Sequence, residues 1–308
     1  MILASIDIGS NTVLLLISKV NLTKKEFKTI ANYYRVPRVS QGLKYGNLLT
    51  ERKIEDLLRV LTEYNQICVG LSVEKIFVIA TNAFRIAANS DVIVSRVKNE
   101  LDLDIKIIDG ETEARLSFLG SVYTSVNNQL KTVIDIGGGS TEIIYGNIET
   151  VHFKKSFQIG VVSLTEEILY QQPITIQDIL KAENYVKKIF CNIPNVIPLR
   201  IETIAVAGTP TTLSCIKQGI RVYDELKVDN SILTYEEICK ITKEITKLPP
   251  NKISERYGQV VEGREDVLLA GCIILKIVMK KLGISAIIVS SRGLRYGVII
   301  DYILNHHQ

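Results

Sequence analysis

The sequence predicts an α/β protein of two domains, each built on a sheet that opens with a strand–glycine turn–strand hairpin. Three observations carry this reading. Val133-Ile-Asp-Ile-Gly-Gly-Gly-Ser-Thr-Glu-Ile-Ile144 sets three glycines and two hydroxyls between apolar runs. Ser5-Ile-Asp-Ile-Gly-Ser-Asn-Thr-Val-Leu-Leu-Leu-Ile17 is a second copy, in which Asp7, Gly9, Ser10 and Thr12 echo Asp135, Gly137, Ser140 and Thr141, with one residue fewer in the loop. Elsewhere, short apolar runs alternate with segments of helical period, the pattern of α/β folds. A repeat this long is a duplicated domain and not a solenoid.

The composition of the turns points to chemistry. Glycine lets the backbone turn sharply and still admits a bulky anion to its N–H groups. Gly137, Gly138 and Gly139 fit that use, with Ser140 and Thr141 adding hydroxyl donors. Gly9, Ser10, Asn11 and Thr12 repeat it. Asp135 and Glu142 place carboxylates at the edges of one turn, where a hard divalent cation takes oxygen ligands, and Asp7 is the matching acid of the first copy. One glycine-rich turn is usually an ordinary tight turn. Two matched copies, each behind an Asp, point to a clamp for a phosphorylated ligand.

In chain order, residues 2–8 and 12–20 read as antiparallel strands, extended by Phe27–Tyr34, before a basic loop from Arg35 to Leu43. Thr50 caps a helix with Ile54, Leu57, Leu58 and Leu61 on one face, ended by Gly70. Lys75–Ala80 is a buried strand, and Thr81-Asn-Ala-Phe-Arg85 follows its carboxyl end, where open sheets collect ligands, so Arg85 is a phosphate-fork candidate. A helix near Asp91–Leu101 leads to a strand, Ile105–Ile108, and then to Glu111 and Glu113 at a loop-to-helix boundary. Acids in a first turn serve the helix dipole. Against that, Glu113 lies between the two glycine hairpins in sequence, where the chain must cross between domains.

The second domain opens with the 133–144 hairpin and a strand near Thr150–Lys155. Gly160 turns the chain into a capping box from Ser163 to Glu166, and Ile176–Phe190 is a helix. After the strand Ile201–Val206, Ala207-Gly-Thr-Pro-Thr-Thr-Leu213 is another Gly/Thr turn at a helix start, where Gly208 and Thr209 could face an anion. Thr234 and Glu237 form a further capping box. Arg264–Leu282 reads as a long buried helix stopped by Gly283, followed by a strand, Ala286–Ser290, and a closing helix from Gly293. The domains are expected at 1–125, completed by 293–308, and at 126–292, divided at the polar stretch Ser125–Asn128.

Hydrophobic content of 46% and charged content of 23% are those of a soluble globular chain, and no apolar run reaches membrane-spanning length. The first residues carry Asp7 and no basic leader, so no signal peptide is expected. Cys68, Cys191, Cys215, Cys239 and Cys272 are scattered, which points to free thiols and the cytoplasm. His152, His306 and His307 are too few for a histidine metal site. A net charge of +4 favours anions mildly and does not imply nucleic acid.

Five segments together, Asp7–Thr12, Gly110-Glu-Thr-Glu-Ala114, Asp135–Glu142, Gly208-Thr-Pro-Thr-Thr212 and Ser290-Ser-Arg-Gly-Leu-Arg-Tyr-Gly297, resemble the exopolyphosphatase / guanosine pentaphosphate phosphohydrolase (Ppx/GppA) family. The resemblance implies a duplicated actin-like ATPase (ribonuclease H-like) fold, with the active site in an interdomain cleft, in the short two-domain form. It implies Mg²⁺-assisted release of terminal phosphate from inorganic polyphosphate or guanosine pentaphosphate. The family's catalytic glutamate aligns with Glu113. Asp135 and Glu142, helped by Asp7, correspond to metal and phosphate-site acids, and Arg85 and Arg264 to arginines at the polyanion. Four departures stand out. Ser291 and Tyr296 replace the usual acids of the last motif, Asp229-Asn230 replaces His-Gly, and Pro210 replaces a small residue.

A phosphotransferase of the same fold and a non-catalytic sensor of guanosine tetraphosphate are the competing expectations. Glu113 argues against the sensor, and no acceptor signature supports the kinase. The apolar helix from Arg264 reads equally as core or as the face of a homodimer.

Overall fold

The computed structural model describes residues 1–43, 47–123, 129–194, 197–198 and 201–306. The expected domain junction at 125–128 and His307 lie outside these residues. The chain divides into two compact units, one of Met1–Tyr123 with Gly293–Gln308 and the other Thr124–Arg292.

Unit 1 begins with β1 (Ile2–Ile8), β2 (Val13–Asn21) and β3 (Glu26–Arg35), then α1 (Glu51–Gly70), β4 (Lys75–Ala80), α2 (Asn82–Ile86), α3 (Ser90–Leu101), β5 (Ile105–Ile107) and α4 (Gly110–Val122). Unit 2 holds β6 (Lys131–Ile136), β7 (Thr141–Gly146), β8 (Val151–Phe157), α5 (Val161–Glu167), α6 (Ile176–Phe190), β9 (Thr203–Val206) and α7 (Gly208–Gln218). It continues through α8 (Glu225–Val228), β10 (Ile232–Thr234), α9 (Tyr235–Ile245), α10 (Pro250–Tyr257), α11 (Leu268–Leu282) and β11 (Ala286–Val289). The last helix, α12 (Leu294–Asn305), returns to unit 1.

The sheets repeat one plan. Unit 1 has the order β3-β2-β1-β4-β5, and unit 2, read from the matching edge, has β8-β7-β6-β9-β11-β10. In each, the first strand pairs antiparallel with the second and parallel with the fourth element of the plan, β1 with β4 and β6 with β9. This is the duplicated actin-like arrangement. Strand β1 shows why its sequence is nearly all apolar. Ala4, Ile6 and Ile8 enter a core with α1 and α3, while Leu3 faces a second core made with Leu119, Ile299 and Ile303 of α4 and α12. A strand covered on both faces loses the polar alternation.

Helix α1 buries Ile54, Leu57, Leu58 and Leu61 as the spacing demands. The expected box from Thr234 to Glu237 forms, and Thr175 caps α6 in the same way, each side chain accepting from the third backbone N–H of its helix. Thr50 stands at the N-cap of α1 but makes no side-chain cap hydrogen bond. Two expectations change. Helix α11 starts at Leu268, because residues 262–267 form turns, so Arg264 precedes the helix. Its buried residues, from Leu268 to Leu282, belong to the core of unit 2, which answers the choice between core and dimer face. The box from Ser163 to Glu166 is also replaced. Helix α5 begins at Val161, and Gly160 N donates to Ser163 Oγ at 2.8 Å, so Ser163 closes the cap from inside the first turn. No helix among the described residues is long and apolar enough to cross a membrane.

Helices α4 and α12 meet through glycine. A Cβ added to Gly297 would overlap Leu116 O, and one added to Gly120 would overlap Gly293 O. Gly70, by contrast, has open space around it. Gly297→Ala is expected to destabilise the protein by about 1–3 kcal/mol, as overpacking does. Gly70→Ala is expected to stabilise it by about 0.4–1 kcal/mol. Urea denaturation of both variants checks the contrast.

Candidate active site

The two glycine turns close alike. Gly9 N donates to Thr12 O at 3.0 Å, and Gly137 N donates to Ser140 O at 2.9 Å. They are therefore of equal length, which corrects the expectation of a shorter first loop. Thr12 corresponds to Ser140. Thr141 has left the turn: it opens β7, is fully buried, and its Oγ1 donates to Ile159 O at 2.6 Å. Adjacent hydroxyl residues misled the sequence alignment by one position. In the same register Asp135 lies opposite Glu142, whereas Asp7 lies opposite Leu14.

Each turn has its carbonyls taken up from one side. In unit 2, Val161 N donates to Gly137 O at 3.0 Å and Val162 N to Gly138 O at 2.7 Å. In a planar trans peptide the N–H points opposite to the C=O. The N–H groups of Gly138 and Gly139 are thus aimed away from α5. In unit 1 the loop after β3 does the same work, since Ser40 N donates to Ser10 O at 2.9 Å and Arg38 N to Asn11 O at 3.0 Å. The N–H groups of Asn11 and Thr12 are turned away from that loop. Ser10 Oγ and Asn11 Oδ1 are buried without a hydrogen-bond partner among the described residues. Sequence reasoning missed both clamps. The donors at 38 and 40 are backbone groups, which any residue supplies. Gly160 left a faint signal: an added Cβ would come within 2.5 Å of Gly137 O and Gly138 O, so only glycine lets α5 approach this turn.

Also in unit 1, the carboxyl end of β4 delivers Arg85 on α2, and Glu113 sits in the first turn of α4. Arg85 Nη1 donates to Glu113 Oε2 at 2.6 Å and to Ile108 O at 2.9 Å. The side chains are only 17% and 11% exposed, so water screens the pair weakly. Arg85 Nη2 is buried and makes no hydrogen bond among the described residues. Asp109 caps α4, accepting from Thr112 N at 2.7 Å, and these Thr112 hydrogen bonds hold its carboxyl below the usual range.

In unit 2, Gly208 and Arg264 come together at the start of α7. The Arg264 guanidinium lies over Gly208, where an added Cβ would stand 2.9 Å from its Cζ, and Nη1 donates to Thr212 Oγ1 at 3.3 Å. Thr209 is buried and packs on Gly271 of α11. Ala207 holds φ 74° and ψ −166°, a region nearly confined to glycine that costs about 1–3 kcal/mol.

Asp135 and Glu142 suit a hard cation. They are cross-strand neighbours beside the turn, and Ser156 Oγ donates to Glu142 Oε1 at 2.6 Å, fixing that carboxylate. Magnesium commonly takes one or two carboxylates and completes its shell with water and phosphate. Asp7, with Leu14 opposite, does not repeat the acid pair. Among the described residues no group of three or more His, Cys, Asp or Glu gathers as a ready-made cage.

The model of the Ppx/GppA phosphatase family matches residues 16–306. The chain belongs to this family. A bifunctional 3-dehydroquinate synthase/phosphatase of Fusobacterium nucleatum is 32% identical over 98% of this chain, which spans 46% of that protein. Exopolyphosphatase 2 of Mycobacterium tuberculosis is 28% identical, with 97% of each chain covered. The crystal structure of the Aquifex aeolicus Ppx/GppA family member is 32% identical, covers 100% of this chain and 99% of its own, and superposes with a TM-score of 0.83.

The departures from the Ppx/GppA pattern acquire physical content. Asp229 and Ser291, unrelated in sequence, touch: Ser291 N donates to Asp229 Oδ1 at 2.9 Å and Ser291 Oγ lies 3.1 Å from the same oxygen. The acid missing at 291 thus has a carboxylate beside it. Tyr296 is 2% exposed and packs against Phe27, so its ring serves the core of unit 1. Pro210 is buried in the first turn of α7, where a missing N–H costs no helical hydrogen bond.

Asp109 allows a test of the helix that carries Glu113. Because its folded pKa is depressed, its contribution to stability is full above the ordinary carboxylate range and lost as pH falls through its folded value. Asp109→Ala should lower Tm at pH 7. The difference from the unmodified protein should shrink below about pH 4. Thermal melts across pH check both.

Proposed function

We propose that this chain releases the terminal phosphate of inorganic polyphosphate, or the 5′ γ-phosphate of guanosine pentaphosphate, by attack of a water oriented and deprotonated by Glu113. The observation that carries the reading is Arg85, which holds Glu113 through one guanidinium nitrogen and keeps the other, Nη2, buried without a hydrogen bond among the described residues. A guanidinium donor left over beside a fixed carboxylate suits a phosphoryl oxygen on the donor and a water on the carboxylate.

Phosphoryl transfer asks for positioning and charge stabilisation more than covalent chemistry. In unit 1 the N–H groups of Asn11 and Thr12, with Arg85, bind phosphoryl oxygens, and in unit 2 those of Gly138 and Gly139, with Arg264, do the same. Glu113 takes a proton from water while the water oxygen bonds to the terminal phosphorus and the bridging P–O bond breaks. The departing phosphate chain keeps that bond's electron pair. Asp135 and Glu142 would hold a magnesium ion, which when bound would offset charge on the phosphates.

Glu113→Gln preserves size and removes the base. It should lower kcat by about 10²–10⁴-fold on both substrates, while polyphosphate binding by calorimetry stays within about threefold. Wild-type turnover in this variant would end the assignment of Glu113. Tight binding of guanosine tetraphosphate with no phosphate release by the unmodified protein would favour a sensor.

A further inference from the structure

We propose that Asp229 is a positioning residue for this reaction, acting through the peptide that leads into the helix packed on the Glu113 helix. The inference rests on the role given to Glu113 above. Strand β11 is held by its neighbours up to Ser290: Val289 N donates to Ser231 O at 2.8 Å, and Ser290 N to Ala205 O at 2.9 Å. Beyond that point side chains take over. Ser291 N donates to Asp229 Oδ1 at 2.9 Å. Arg292 N donates to Ser290 Oγ at 3.1 Å, and Ser290 Oγ in turn donates to Asp229 Oδ1 at 3.3 Å. Both amides of the segment thus lead, directly or through one hydroxyl, to a single carboxylate. Arg292 Nε stands 3.9 Å from its other oxygen.

Ser291 shows how finely charge is balanced there. Its hydroxyl lies 2.8 Å from Glu225 Oε1 and 3.1 Å from Asp229 Oδ1. One hydroxyl carries one proton. That proton is shared by two carboxylates, and an acid at 291 would stand beside both of them.

The next residue, Gly293, starts α12, and its carbonyl accepts from Tyr296 N at 3.0 Å and Gly297 N at 3.1 Å. Gly293 and Gly297 are the residues that α4 touches, at Gly120 and Leu116, without room for a Cβ. Leu116 stands one helical turn after Glu113. A peptide that loosens at 291–292 therefore loosens the start of α12, and with it the seat of α4. Small errors in the placement of a catalytic group cost rate steeply.

The test uses the full chain in four variants, with phosphate release from polyphosphate and hydrogen–deuterium exchange as parallel readouts. Asp229→Ala should lower kcat about tenfold to hundredfold with KM within twofold, and speed exchange in residues 291–297 and in the first turns of α4. Asp229→Ser alone should resemble it. Ser291→Asp alone should be at least as impaired. Asp229→Ser combined with Ser291→Asp moves the carboxylate across the contact and should recover at least half of the unmodified kcat. A kcat unchanged in Asp229→Ala, or a double variant no better than Asp229→Ser, would overturn the proposal. If the unmodified protein released no phosphate while exchange in α4 still followed the carboxylate, the hydrolase reading would fail and the mechanical coupling would survive.

Discussion

The ion pair between Arg85 and Glu113 is the interaction on which the account of unit 1 turns. Taking a carboxylate out of water costs several kcal/mol per ion, and the cost is offset only when the partner and its hydrogen bonds are well placed. Here the partner arrives from the carboxyl end of β4 and is itself held by Ile108 O at the end of β5. Two parallel strands thus fix the guanidinium, and the guanidinium fixes the carboxylate. Such a pair is a poor device for stability, because an apolar pair of similar volume often does as well. Its value lies in a carboxylate of fixed direction beside a donor that is not consumed by the fold.

The glycine turns obey a simpler constraint, the planarity of the peptide. Binding an anion requires N–H groups on one side, which puts carbonyls on the other, and buried carbonyls need donors. The two units meet that need differently, with the start of α5 in one and the loop at 38–40 in the other. The duplication kept the turn and replaced its support. It also kept only one acid pair, since Leu14 stands where Glu142 does. The acid pair is thus asymmetric between two units of the same plan.

Much of this is legible in the sequence. Short apolar runs and segments of helical period place β4 and α6 to the residue, because those signals are local. The turns were visible because glycine and the acid ahead of it are unusual inside apolar runs. What escaped is what side-chain identity does not encode. Loop length was misjudged by one because Ser140 and Thr141 offer the same hydroxyl. Backbone donors at Arg38 and Ser40 leave no compositional trace. The start of α11 was placed early because Arg264 and Glu265 suit a helix as well as a turn. Asp229 and Ser291 read as separate departures until the fold set them in contact, a pairing across 62 residues that no window could show.

In the proposed reaction Arg85 and Glu113 act on the reacting phosphate as a unit. A double-mutant cycle with Arg85→Ala, Glu113→Gln and the double variant, read as kcat for phosphate release, tests it most directly. Residues that act as a unit are grossly non-additive. Each single change should cost about a hundredfold or more, and the double variant should be little worse than the less active single. Losses that multiply, with each residue acting independently of the other, would contradict it.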